Sequence, residues 1–146
     1  MKKIIQLTSV LFLTCFISFS LSASEEIIKG RKQLFKKNYQ TAKAVSAAIK
    51  SGDYEKAQEN LKEVSENFKK LLDYFPEDSQ TGFDTEALPA IWQNADEFVT
   101  YMQNASTNAL MLAKKLEEDA PDIMTLEKQL LWNSCSTCHK RFRLKK

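Results

Sequence analysis

Apolar residues recur along this chain in steps of three and four, the spacing of one face of an α-helix, and no stretch alternates with the period of a strand. A first helix is predicted from about Glu25 to Ser51, where Ile28, Phe35, Ala42 and Ile49 recur every seven residues with Val45 between the last two. Gly52 supplies a C-terminal stop and Asp53 an N-cap for the next helix. The second segment is the cleanest: Tyr54, Ala57, Leu61, Val64, Phe68, Leu71 and Phe75 form an a/d seam that Pro76 ends. A polar connection from Glu77 to about Glu86 follows, the one long loop, suited to a crossover or to lining a site. Pro89 fits the first turn of a third helix, whose core face reads Leu88, Ile91, Ala95, Phe98, Met102, Ala105, Ala109, Leu112 and Leu116. Asp119-Ala120-Pro121 breaks the chain and starts a fourth helix carrying Ile123, Leu126, Leu130, Leu131 and Trp132. Four amphipathic helices joined by mostly short links predict an all-α, antiparallel up-down-up-down four-helix bundle.

The segment before the first helix reads differently. Lys2 and Lys3 precede an apolar run from Ile4 to about Leu21, and the small residues Ser22, Ala23 and Ser24 follow. This is the layout of an export signal. It predicts a cleaved leader over residues 1–23 and a mature domain over 24–146, with cleavage within 22–24. An uncleaved anchor fits less well because Gln6, Thr8, Ser9, Thr14 and Ser18 dilute the run. A lipoprotein signal at Cys15 fits less well because Thr14 precedes it.

Composition then narrows the function. The formal net charge is +2, and removing Lys2 and Lys3 brings the 21 basic residues level with the 19 acidic ones. That balance gives no sign of a nucleic-acid binder, and without the leader no membrane segment is expected. Only three Gly and three Pro occur, which argues against a many-turned β fold. The one His excludes His-rich metal sites and a distal-His gas pocket. Loss of Cys15 leaves Cys135 and Cys138, too few for a disulfide framework.

These two Cys stand in Cys135-Ser136-Thr137-Cys138-His139. Cys-x-x-Cys-His is a recognised signature of covalent haem attachment. On a helix, positions 135, 138 and 139 share one face. Two thiols there can form thioethers to two porphyrin vinyl groups, and the adjacent imidazole can ligate the iron. The alternatives fit less well. A thioredoxin-type pair wants a strand-to-helix context, a zinc site lacks a fourth Cys or His, and a disulfide across two residues closes a trivial loop.

The run Cys135 to Arg143, which places the motif at the C-terminus with Phe142-Arg143 three residues after the His, resembles the class II c-type cytochromes, the cytochrome c′ family. Pro89-Ala90-Ile91-Trp92 is similar to the family's Pro-x-Ile-Trp, and Arg31 followed by Phe35 is similar to its first-helix pair. The resemblance implies one covalent haem c through Cys135 and Cys138, with His139 as the axial iron ligand. It further implies a periplasmic location and homodimers built across the first two helices. At the position of Phe35, low-spin members have a ligating Met and high-spin members an apolar residue, so the resemblance implies a five-coordinate iron. Whether Phe35 or Leu34 covers that face is open in the sequence. A phenyl ring cannot ligate iron and shields it from water. A pocket without hydrogen-bond donors gives no help to bound dioxygen, whereas nitric oxide and carbon monoxide depend on such help less.

Arg31 shares the face of Ile28 and Phe35, and a buried charge there wants a partner. A haem propionate is the candidate, an exposed Arg–Glu pair the alternative. Arg143 lies four residues after His139; the resemblance puts it beside the imidazole, while composition puts it in a basic tail with Arg141, Lys145 and Lys146. The expectation is an exported haem protein exchanging one electron with redox partner proteins and able to bind NO or CO, not an enzyme, since no acid, base or nucleophile set accompanies the motif. A low-spin electron carrier with Met102 as sixth ligand is the runner-up; Met111 and Met124 are less suited. A helical Cys-pair metal or redox protein without haem is the third reading.

Overall fold

The computed structural model describes the backbone of residues 2–145 and the side chains of residues 24–145. The expected leader, residues 1–23 with Cys15, and the last basic residue, Lys146, lie outside the residues described at side-chain level. Six α-helices build a bundle: α1 (Lys2–Ser51), α2 (Tyr54–Leu71), α3 (Ala90–Gln93), α4 (Ala95–Glu117), α5 (Ile123–Glu127) and α6 (Asn133–Phe142). The first long turn forms as its residues predict. Gly52 takes a left-handed φ of 76°, a conformation open to glycine, and Asp53 caps α2 by accepting from the Lys56 amide at 3.1 Å.

The seams meet in one core. Ala42, Val45 and Ile49 of α1, Leu61, Val64 and Phe68 of α2, and Met102, Ala105 and Leu112 of α4 are all buried. Leu131 and Phe142 close the core from the C-terminal segment.

Two predicted helices are interrupted. The third was expected to run unbroken from Pro89, but Asn94 leaves helical geometry with φ −132° and ψ 53° and separates α3 from α4. Its side-chain amide donates to the Ala90 carbonyl at 3.0 Å, the local competition with backbone bonding to which Asn is prone. Ala95, expected on the core face, is exposed as a result of this break. The fourth helix begins at Ile123 rather than at Asp119-Ala120-Pro121, because Asp119 and Asp122 both sit at positive φ. A π turn over Lys128–Trp132 then separates α5 from α6. Such turns occur preferentially beside functional sites, and this one leads directly into the Cys motif.

The long connection is tied down at both ends. The indole N–H of Trp92 donates to the carbonyls of Phe75 (3.1 Å) and Pro76 (3.2 Å). After α6 the chain turns extended and pairs antiparallel with the connection at Ala87 and Arg143. The Leu88 amide donates to the Phe142 carbonyl at 3.0 Å, and the Leu144 amide to the Glu86 carbonyl at 2.8 Å.

Candidate haem-binding site

A cavity of about 520 Å³ opens between α1, the connection and the C-terminal segment. α1 lines it with Arg31, Phe35 and Asn38, α2 with Val64 and Phe68, α4 with Phe98 and Met102, and α6 with Cys135, Cys138 and His139. These side chains converge because α1 and α6 each turn one stripe inward: 31, 35, 38 and 42 on α1, and 135, 138, 139 and 142 on α6.

Phe35 and Leu34 separate cleanly. Phe35 faces the cavity and packs edge-on against Phe75, ring centres 6.4 Å apart. Leu34 lies in a different groove, with Gly30, Lys70 and Tyr74. Gly30 is what lets α1 approach Tyr74, since a Cβ there would stand 2.5 Å from the tyrosine ring.

Both Cys135 and Cys138 are free thiols, half-buried on the cavity wall. Burial pushes the Cys135 thiol up. Burial, and after it the neighbouring Cys135, pushes Cys138 up to about 11. A dithiol redox pair needs a lowered thiol, so this environment disfavours the thioredoxin-type reading. His139 stands at the cavity rim, in contact with solvent. Desolvation against the wall and then the charge of Arg143 push its imidazole below the ordinary value, while Glu86 opposes them. The ring is neutral at pH 7, the state that ligates metal.

Arg31 is neither an exposed residue nor one side of an Arg–Glu pair. It is 3% exposed. One terminal nitrogen donates to the Tyr74 carbonyl (3.2 Å) and the Ser79 hydroxyl (3.3 Å), the other to the Ser79 carbonyl (3.2 Å) and the Thr85 hydroxyl (2.7 Å). Its guanidinium lies 4.6 Å from the centre of the Phe75 ring. Burial lowers its pKa to about 10, so it keeps its charge at neutral pH. Among the described residues no carboxylate forms an ion pair with it.

Arg143 lies near His139 through the end of the helix: as the C-cap of α6 its amide donates to the His139 carbonyl, four residues back, at 3.2 Å. α6 ends at Phe142, and Arg143 is extended, with φ −120° and ψ 136°. Its Nε donates to Glu86 at 2.7 Å, while Arg141 pairs with Glu97 at 3.2 Å, so both arginines of the expected basic tail carry local partners. Met102 is buried, 2% exposed, and lines the cavity; Met111 and Met124 are exposed.

One cavity group, Asn38, went unread in the sequence, and another, Trp132, was read only as part of the helix core. Asn38 continues the seam Ile28, Arg31, Phe35, Ala42 as a buried polar residue, and a polar side chain at a seam position was the available signal. Trp132 lines the cavity and packs edge-on to Tyr39 at 6.0 Å. Its indole donates at 2.9 Å to the buried carboxylate of Glu127.

The residues present fit a covalently held porphyrin. The volume lies within the range of cofactor pockets, the wall is mainly aromatic and aliphatic, and two free thiols and a neutral imidazole meet on one helix face. A family model described as Cytochrome C′ matches residues 26–143. Cytochrome c′ of Rhodopseudomonas palustris is 30% identical over 127 residues, covering 85% of this chain and 86% of the relative. Cytochrome c-556 of Agrobacterium fabrum is 30% identical over 146 residues, covering 99% and 98%. The solved structure of the Rhodopseudomonas palustris cytochrome c′ matches with a TM-score of 0.70 at 30% identity, over 82% of this chain and 97% of that one. The family match covers most of the chain, from residue 26 to just past the Cys-x-x-Cys-His run, so the chain belongs to the cytochrome c′ family, which binds haem c covalently through cysteine, and the haem-free reading falls.

Proposed function

We propose that this chain is an exported, periplasmic cytochrome whose iron is five-coordinate, exchanges single electrons with redox partner proteins, and binds small gases such as NO and CO. Cys135 and Cys138 would hold the porphyrin as thioethers, and the imidazole of His139 would ligate its iron. When bound, haem supplies an iron that takes up or releases one electron and offers a coordination position to a small molecule. Phe35 borders that position and keeps water from it. Arg31 sets a full positive charge on the cavity wall without a carboxylate partner, which suits a propionate as an electrostatic neighbour; most of its donors are already engaged by the connection. Burial first, and then the charge of Arg143, which Glu86 holds in place, lower the His139 imidazole and favour its neutral form. A homodimer across α1 and α2 would use the outward groove that carries Leu34, Lys70 and Tyr74.

The observation that carries this reading is that, among the described residues, α1 presents Phe35 and no sulfur donor to the cavity. The test is the visible absorption spectrum of the ferrous protein from a host that attaches haem c. A broad, unsplit band is expected. A sharp split pair would favour the low-spin carrier, with buried Met102 as its donor, and Met102→Leu would then abolish the splitting.

A further inference from the structure

Asn38 is the uncharged polar residue of the α1 stripe that faces the cavity, one turn beyond Phe35. It is 5% exposed, and its cavity neighbours include Phe35, Ala42, Val64 and Phe68. Its Oδ1 accepts from Nδ2 of Asn67 on α2 at 3.4 Å, and Asn67 is itself 3% exposed. That contact turns the amide oxygen toward α2 and leaves Nδ2 with no protein acceptor. Among the described residues, no fully buried side-chain nitrogen or oxygen lacks a hydrogen-bond partner, so Nδ2 keeps some accessible surface, and Asn38 is a lining residue of the cavity. An amide N–H on a mainly apolar wall favours an acceptor placed beside it, and a ligand arriving in the cavity can supply one.

We infer that Asn38 is the specificity-determining donor of this cavity: its Nδ2 hydrogen-bonds the outer atom of a small ligand bound on the iron beside Phe35. The inference rests on the five-coordinate reading and revises the expectation of a pocket without donors. It predicts a preference by charge. Ligands that carry negative charge away from the iron, such as ferrous-bound dioxygen or a ferric-bound anion, gain most from the donor, and carbon monoxide gains least.

The experiment compares the haem-loaded parent with Asn38→Leu, which keeps the side-chain volume and removes the donor. The infrared C–O stretch of the ferrous carbonyl complex reads the field at the ligand directly. A donor draws charge onto the oxygen and weakens the C–O bond, so the stretch is expected at higher frequency in the variant. Fluoride affinity of the ferric protein is expected to fall about tenfold, the worth of one hydrogen bond to a charged acceptor. Asn38→Leu strands the amide of Asn67, so Asn38→Leu/Asn67→Leu, which removes both polar groups, is measured alongside and is expected to show the same two shifts. An unchanged stretch with unchanged fluoride affinity overturns the inference. A stretch that falls in the variant also overturns it, because the amide oxygen would then face the ligand. A parent protein that forms no carbonyl complex overturns the five-coordinate reading, and this inference with it.

Discussion

Arg31 is the most deeply buried tie between α1 and the long connection, which Ser24 and Lys32 also touch through Asp78 and the Phe83 and Asp84 carbonyls, and replacing it by Met should loosen that connection before the bundle. The Met side chain keeps the aliphatic stem and the contact with Phe75 but removes the four donated bonds to Tyr74, Ser79 and Thr85. The loss is unequal among the acceptors. The Ser79 hydroxyl still donates to the Pro76 carbonyl at 2.8 Å, and the Thr85 hydroxyl still accepts from the Ala87 amide at 3.2 Å. The carbonyls of Tyr74 and Ser79 bear most of the damage. Hydrogen bonds from a charged donor contribute about 1.5–3 kcal/mol each. Against two such losses stands the relief of no longer burying a cation, the same burial that lowers the Arg31 pKa to about 10. The net is a destabilisation of about 3 kcal/mol, which lowers the melting temperature of a domain this size by roughly 12 °C. Thermal unfolding of the haem-loaded protein measures the total. Hydrogen exchange at the Ser79 and Thr85 amides, which donate to Pro76 and Gly82, locates it. A variant that melts with the parent and keeps those amides protected would refute the reasoning, since the guanidinium would then hold nothing in place.

Three further outcomes are expected. The buried hydroxyls of Ser65 and Ser106 meet at 2.8 Å; either change to Ala alone should cost about 1 kcal/mol and the double change less than the sum, because removing both partners leaves nothing unsatisfied, as a denaturant-melt double-mutant cycle will read. Glu127→Leu deprives the Trp132 indole of its 2.9 Å acceptor while the Ser46 hydroxyl remains at 3.3 Å, so a loss of about 1–2 kcal/mol in urea unfolding is expected. Phe35→Met puts a thioether on the cavity wall and should convert the broad ferrous band to a split, low-spin pair with slower CO binding; an unchanged spectrum would show that α1 does not reach the iron.

The site was legible in the sequence to unequal degrees. Cys135, Cys138 and His139 were readable because covalent chemistry fixes their spacing within one helical turn, and no tertiary contact is needed to bring them together. Arg31 and Phe35 were readable only as a pair four apart, with their partners unassigned. Asn38 was hidden by its type: an amide at a seam position reads as a flaw in the pattern until Asn67 is seen beside it. Arg143 was read as a neighbour of His139 one helical turn on, and its amide does cap that turn, but its extended backbone and its pairing to Ala87 were not readable.

What the sequence determined by itself is local and periodic: the seams of α1, α2 and α4, the stop at Gly52, the cap at Asp53, and the haem-attachment run. Each depends on residues within a turn or two of one another, where backbone geometry alone sets which side chains meet. The tertiary structure decided the rest. The π turn before α6 lies where the C-terminal segment packs Leu131 and Phe142 into the core. Burial of Arg31 with neutral acceptors, the choice of Phe35 over Leu34 for the cavity, and the opening of Asn38 onto it all follow from how α1 is rotated against α2 and the connection. That rotation is set by contacts between residues far apart in the chain, and no local spacing encodes it.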